Sequence, residues 1–227
     1  MAESVPKVPD TDWLRRWREG RTGWHTSEPM PLLIQHWAGL GLPAGSRVLV
    51  PLAGKSPDML WLAQQGYSVL GVELSPLAVG QFFAENHLAV QSQREVDGVH
   101  YSAGDIEVIQ GDIFKVAARV FESCTAVYDR AAIIALPASL RRRYVQEIYG
   151  KLPPDCRGLM ITLEYPQAEM QGPPFSVDKA ELHRWFDAQW KLELLERRDI
   201  LASQPGFTQA GVSALATAVY RLQREAR

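Results

Sequence analysis

The stretch Arg47–Glu73, RVLVPLAGKSPDMLWLAQQGYSVLGVE, constrains this chain more than any other. An apolar run, Val48 to Val50, meets a turn, Pro51-Leu52-Ala53-Gly54. Apolar residues then recur at helical spacing through Met59, Leu60, Leu62 and Ala63. A second apolar run, Tyr67 to Val72, ends in the acid Glu73. The order is strand, tight turn, helix, strand, carboxylate, with the acid 73 − 54 = 19 positions past the turn glycine. In nucleotide-binding α/β folds, an acid roughly 20 residues past the glycine turn closes the second strand and accepts ribose hydroxyls. The unit points to an adenosine-type ligand. The plainer alternative is an acid that only caps a helix.

Three ligands compete for such a unit, and the turn separates them. A phosphate loop needs GxxxxGK followed by Ser or Thr. Gly54-Lys55-Ser56 supplies the tail, but Leu49 stands where the first glycine belongs, and Pro51 removes a backbone N–H from the cradle. A dinucleotide turn needs several glycines where pyrophosphate meets backbone. Gly54 stands alone between Gly45 and Gly66. S-adenosylmethionine carries no phosphate, and one glycine with one acid meets its needs.

The 227 residues suit one domain, 1–227, with a sizeable core. Hydrophobic residues at 46% and a net charge of −2 fit a globular protein without a polyanion-binding face. Arg141-Arg142-Arg143, the densest basic run, reads as the exposed face of a helix, so no nucleic acid is expected. No apolar stretch approaches a membrane span, and MAESVPKVPD lacks the pattern of a secretory leader. Cys124 and Cys156 have no metal spacing and read as buried or idle thiols of a cytoplasmic protein.

Thr11 or Asp12 caps a first helix whose Trp13 and Trp17 share a face, ended by Gly20. Pro31–Leu40 and Pro76–His87 read as helices, and Gln91–Gly98 as a polar loop or frayed helix end. Ile106–Ile109, Thr125–Tyr128 and Leu159–Leu163 read as further strands. A long helix opens at Pro137, and another spans Lys179–Gln189. Lys191–Arg198 and Ala214–Leu222 read as an antiparallel pair at one edge. This α/β alternation implies a mostly parallel sheet with helices on both faces. Ligands of such sheets bind beyond the carboxyl ends of the strands. Leu52, Glu73, Asp112 and Asp129-Arg130 stand at those ends.

Six stretches resemble one family: RWREGRTGWH (Arg16–His25), VLVPLAGKSPDMLWLAQQGYSVLGVELS (Val48–Ser75), GDIF (Gly111–Phe114), VYDRAAIIALP (Val127–Pro137), ITLEY (Ile161–Tyr165) and GPPFSV (Gly172–Val177). They are similar, in order and over most of the chain, to thiopurine S-methyltransferases, and most so to the bacterial branch. The resemblance implies a seven-stranded, Rossmann-like fold of the S-adenosylmethionine-dependent methyltransferase type. It places Trp17, Leu52, Gly54, Glu73 and Arg130 at the cofactor, with Asp112 and Ile113 beside adenine. The N-terminal segment, residues 1–20 with Trp13, covers that site, and Trp24 stands against the substrate. Two positions depart from the family. Ala53 replaces the cysteine of PLCGKS, and SQPGFTQAG (Ser203–Gly211) lacks an arginine that the family can carry near its substrate.

The implied reaction is attack of a small aromatic or heterocyclic thiolate on the cofactor methyl. Such thiols ionise near neutral pH, so no strong base and no metal are expected. Arg130 is the candidate catalytic residue, unless a salt bridge with Asp129 or Glu164 occupies it. His25 reads first as a packing residue and only second as a base. Selenium or tellurium compounds, or halide, are the alternative acceptors that the resemblance implies. The expected state is a monomer.

Overall fold

The structure, a computed structural model, describes residues 11–23 and 25–226. It opens with α1 (Thr11–Arg18) and α2 (Pro31–His36), the latter running into one 3-10 turn closed by Gly41 at φ 60. The dominant unit of the sequence follows as β1 (Arg47–Pro51), α3 (Pro57–Gln64) and β2 (Ser68–Glu73). The next helix is α4 (Pro76–Glu85). Both α3 and α4 start on a serine followed by a proline. Ser56 Oγ accepts from Asp58 N, and Ser75 Oγ accepts from Ala78 N, each at 3.2 Å. Proline at the first helical position has no N–H to leave unpaired. The chain continues through β3 (Gln91–Glu95), β4 (Gly98–Ala103), β5 (Ile106–Gln110), α5 (Ala118–Glu122), β6 (Ala126–Asp129), α6 (Ala132–Ala135) and α7 (Ala138–Glu147). It ends with β7 (Arg157–Glu164), α8 (Lys179–Phe186), β8 (Trp190–Asp199), α9 (Pro205–Gln209) and β9 (Ala216–Arg224).

The strands pair in the order β3-β4-β5-β2-β1-β6-β7-β9-β8. β5, β2, β1, β6 and β7 run parallel, and β9 and β8 close one edge antiparallel. Side chains alternate between two cores with the strand period of two. Leu49, Leu70, Val72, Ile109, Val127 and Met160 pack with residues of α5, α6, α7 and α8. Their neighbours Val48, Val50, Val69, Val108, Tyr128 and Leu159 pack with residues of α2, α3 and α4. Helices therefore cover both faces, as buried parallel strands require. The chain order reverses at β1, which has β2 on one side and β6 on the other. The crevice beyond the ends of β1 and β6 is the topological switch point of the sheet.

Among the described residues the sheet has nine strands, not the seven expected, and the surplus is the hairpin β3–β4. The segment 91–98, read from sequence as a loop or frayed helix end, is mostly strand. All five residues of β3 are exposed. A strand with neither face buried shows no apolar alternation, so its sequence is silent about it. His100 braces this hairpin through Nε2 to Asp97 Oδ1 at 2.9 Å and Nδ1 to Glu107 Oε1 at 2.8 Å. Burial opposes charge on this imidazole, but its two carboxylate partners prevail and hold its pKa above the usual value. Two short helices, α5 and α6, also had no sequence signal.

Two glycines let the hairpin cross the end of β5. A Cβ on Gly98 would lie 2.5 Å from the Gln110 carbonyl oxygen, and one on Gly111 would lie 2.5 Å from that of Asp97. Both obstacles are backbone, so neither yields cheaply. Gly111→Ala is expected to lower stability by about 1–3 kcal/mol, the usual cost of forcing atoms into a packed site. Urea denaturation measures it. A loss below about 0.5 kcal/mol, the scale of neutral surface changes, would mean that the hairpin moves aside freely.

Candidate active site

Four strand ends, those of β1, β2, β5 and β6, surround a cavity of about 700 Å³ that α1 covers. That volume suits one cofactor-sized molecule with a small partner. The first wall is the turn after β1. Leu52 and Gly54 both hold left-handed backbone, at φ 46 and φ 57, with Ala53 between them. Left-handed backbone is strained for leucine, and this strained residue stands in the cavity wall. Ala53 N donates to Val72 O at 2.9 Å and Gly54 N to Glu73 Oε2 at 2.7 Å, so the turn is fastened to β2. Glycine is needed at position 54 for a second reason. A Cβ there would stand 3.3 Å from Trp17 Cζ2, because the buried indole of α1 lies on the turn.

Glu73 is buried at 7% exposure. Its Oε1 accepts from Ser75 N at 2.7 Å while Oε2 holds Gly54 N. A carboxylate offers about four acceptor positions, so these amides do not exhaust it. Burial raises the Glu73 pKa above the ordinary value, and the N–H groups of Ser75, Gly54 and Leu74 only partly offset it.

The second wall follows β5. Asp112 Oδ1 accepts from Phe114 N at 3.1 Å and caps a single helical turn that buries Ile113. The Arg143 guanidinium stacks 4.1 Å from the Phe114 ring centroid and pairs with Glu147 at 2.7 Å. This corrects the reading of Arg141-Arg142-Arg143 as one exposed face. Arg142 alone is exposed, and Arg143 lines the cavity. Arg141 is 2% exposed and binds Glu181, 40 positions away, and Leu136 O.

The third wall follows β6 and holds Arg130, Ala131, Ile134, Ala135 and Leu136, with Pro173 and Pro174 opposite. The GPPF loop is bound to this wall by Phe175 N donating to Ile134 O at 2.7 Å. The salt bridge considered for Arg130 does not form. Asp129 is occupied by Tyr144 and Tyr149, and Glu164 by Arg197 at 2.7 Å. Among the described residues Arg130 makes no ion pair, so its charge is available to the cavity.

The cavity gathers every described residue that the sequence put forward: Trp17, Leu52, Gly54, Glu73, Asp112, Ile113 and Arg130. Trp13 and His25 line it too, while Trp24 lies outside the described residues. Burial, with Lys55 and Arg130 nearby, lowers the His25 pKa against the pull of Glu85, so the imidazole stays neutral at neutral pH. Sequence reasoning missed Arg16, Phe114, Arg143 and Asp58. Asp58 is spent on structure. Its Oδ1 accepts from Met30 N at 2.7 Å and its Oδ2 from Tyr128 Oη at 3.0 Å, which ties the segment after His25 to the floor. Neither cysteine approaches the cavity wall. Both are buried, and burial pushes the Cys124 thiol up to about 11, far from a reactive thiolate.

Comparison with known proteins gives the family and the fold. The sequence profile of the family described as thiopurine S-methyltransferase matches residues 8–225. A thiopurine S-methyltransferase of Xanthomonas campestris pv. campestris is 59% identical over 217 residues, covering 95% of this chain and 100% of that protein. One from Bordetella parapertussis is 54% identical over 212 residues, covering 93% of this chain and 97% of that protein. Among solved structures, the Burkholderia thailandensis 1,6-didemethyltoxoflavin-N1-methyltransferase, with its substrate and S-adenosylhomocysteine bound, superposes with a TM-score of 0.63 at 18% identity, covering 96% of this chain and 87% of that one. An S-adenosylmethionine-dependent methyltransferase from Methanosarcina mazei gives 0.61 at 14% identity over 88% of this chain and 100% of that one. At such identities these two establish the fold alone.

The burial of Glu73 has a measurable consequence. In the free protein its carboxyl is expected to titrate above 4.5, followed by carbon NMR of the side chain. A ligand that donates hydroxyls to the carboxylate favours the ionised form. Its affinity is therefore flat well above that midpoint and falls as pH drops through it. A midpoint at or below 4.5 would remove burial as the governing influence.

Proposed function

This chain belongs to the thiopurine S-methyltransferase family, and on that footing we propose that it methylates the sulfur of small aromatic or heterocyclic thiols. The observation that carries this reading is the meeting, in one cavity, of a buried acid ending β2 and a guanidinium following β6 that makes no ion pair among the described residues. When bound, S-adenosylmethionine supplies a sulfonium methyl that a thiolate takes by in-line displacement, the electron pair of the broken S–CH₃ bond returning to the cofactor sulfur.

The residues present suit that cofactor. Glu73 is a buried acceptor with capacity left for a ribose hydroxyl, and the single-glycine turn has no cradle for pyrophosphate. In this reading Leu52 offers its backbone carbonyl to the cofactor ammonium, and Gly54 lets Trp17 close over the turn. Asp112 and Ile113 flank the adenine. Arg130 holds an anion, either the cofactor carboxylate or the incoming thiolate, in a region where Ile134, Leu136, Pro173 and Pro174 exclude water. Aligning and desolvating a nucleophile that is already ionised is the work left to the protein. A neutral His25 and two inert thiols fit that division of labour. Trp24 belongs to the same reading as an aromatic wall for the acceptor, as does coverage of the site by residues 1–20.

The apolar acceptor wall favours a planar ring over an inorganic anion. Selenium or tellurium compounds remain the alternative physiological acceptors, on the same residues. Action as a monomer in the cytoplasm completes the proposal. Among the described residues no helix is long and apolar enough to cross a membrane.

The deciding experiment mixes labelled S-adenosylmethionine with an aryl thiol and looks for the S-methyl product. Binding of cofactor without product would move the acceptor to the selenium and tellurium class. Arg130→Ala is expected to cut turnover about 10- to 100-fold, the equivalent of one charge-assisted hydrogen bond, and to leave the fold intact. An unchanged rate would remove Arg130 from the mechanism. Glu73→Ala is expected to weaken cofactor binding by about 1.5–3 kcal/mol, and wild-type affinity in calorimetry would dismiss the ribose assignment.

A further inference from the structure

Asp129 ends β6 immediately before Arg130, and it is fully buried. Four donors converge on its carboxylate. Oδ1 accepts from Ala132 N at 3.2 Å and from Ile133 N at 3.1 Å. Oδ2 accepts from Tyr144 Oη at 2.7 Å and from Tyr149 Oη at 3.0 Å. Every acceptor position of the carboxylate is filled, and no cation pairs with it among the described residues. Burial raises its pKa above the ordinary carboxylate value, and the four donors only partly offset that shift. The two phenols are themselves pushed well above their usual pKa by burial, so both remain donors.

A buried carboxylate without a counter-ion is costly, and capping two N–H groups of the four-residue α6 does not require one. What the carboxylate achieves is convergence. Its donors come from α6, from α7 and from the turn after α7. Those elements, with the end of β6, carry Arg130, Ala131, Ile134, Ala135, Leu140 and Arg143 into the cavity. The Arg130 side chain has no ion pair of its own to hold it, so its direction depends on the backbone corner that Asp129 fastens.

We propose that Asp129, saturated by Tyr144, Tyr149 and the Ala132 and Ile133 amides, is a positioning residue that aims Arg130 at the reacting groups. Asp129 touches neither substrate nor cofactor and acts through its neighbour. The inference rests on the methyl-transfer reading of the site.

Asp129→Asn sets an amide donor against four donors and risks the fold, so Tyr144→Phe is the working variant. It removes one donor at almost constant volume. The turnover number and KM for an aryl thiol, and the melting temperature, are measured for Tyr144→Phe, Arg130→Ala and the double variant. Turnover is expected to fall about tenfold in the wild-type background, the equivalent of one hydrogen bond to a charged group, with a smaller change in KM. With Arg130 already replaced, Tyr144→Phe is expected to change turnover less than about twofold, while its effect on melting is the same in both backgrounds. An equal fold-loss of turnover in both backgrounds, or lost melting temperature with unchanged turnover, overturns the proposal. The Arg130 Nε–H resonance, read by nitrogen NMR in the absence of substrate, gives an independent result. It is expected to shift and broaden in Tyr144→Phe, and an unmoved signal rejects the positioning role. Should the wild-type protein methylate no thiol, the functional reading fails by itself, and that resonance still decides the clamp.

Discussion

The Glu73 carboxylate is the fastening on which the binding side of this protein depends. One oxygen takes the Gly54 N–H of the turn after β1, and the other takes the Ser75 N–H of the turn after β2. Two adjacent parallel strands end on the same side chain, so the two turns that border the crevice cannot drift apart. The arrangement also explains the turn residues. Gly54 N reaches the acid from left-handed backbone, which glycine adopts freely. The same lack of a Cβ seats Trp17. Ser75, having donated its amide to Glu73, caps α4 with its hydroxyl. Acid, turn, helix start and covering helix are therefore one connected construction.

Glu73 is one of three buried carboxylates around the crevice that have no cationic partner among the described residues; Asp58 and Asp129 are the others. All three are satisfied by backbone amides and phenol hydroxyls, which stabilise an anion with dipoles and leave no positive charge consumed. The consequence falls on Arg130. Next to it in sequence stands an acid whose lone pairs are all engaged elsewhere, and Glu164, the other acid within the sequence-level alternatives, is held by Arg197. A guanidinium that finds no anion among the described residues is left for one that enters the cavity.

Local sequence carried the first half of this construction and little of the second. The β1–α3–β2 unit was readable because everything that specifies it lies within one short segment: two apolar runs, a serine–proline helix start, a glycine and an acid at a fixed interval. Residues at the ends of strands were readable for the same reason, since a strand end is visible as the point where an apolar run stops. What escaped detection depends on distant partners. Arg141 looked like part of an exposed run because Glu181, which buries it, lies 40 positions away. Asp58 gives no local signal because Met30 N, from which its Oδ1 accepts, lies 28 positions earlier. The hairpin β3–β4 escaped because its outer strand buries nothing. α6 is too short to show a period, and its amides are held by Asp129 rather than by a local cap.

The crevice thus divides along β1. On the β2 side, Glu73 fastens the turns after β1 and β2 through two backbone amides. On the β6 side, Asp129 organises a corner, a four-residue helix and, through the Phe175–Ile134 hydrogen bond, the proline loop. These latter parts are short and irregular, and none of the hydrogen bonds that join them to Asp129 involves the turn that Glu73 secures. Arg130 follows β6 and lines the same cavity as Glu73, so it belongs to the second half while facing the space that the first half borders. In the proposed reading, this division lets recognition of the methyl donor and choice of the methyl acceptor rest on different turns, with Arg130 adjoining both.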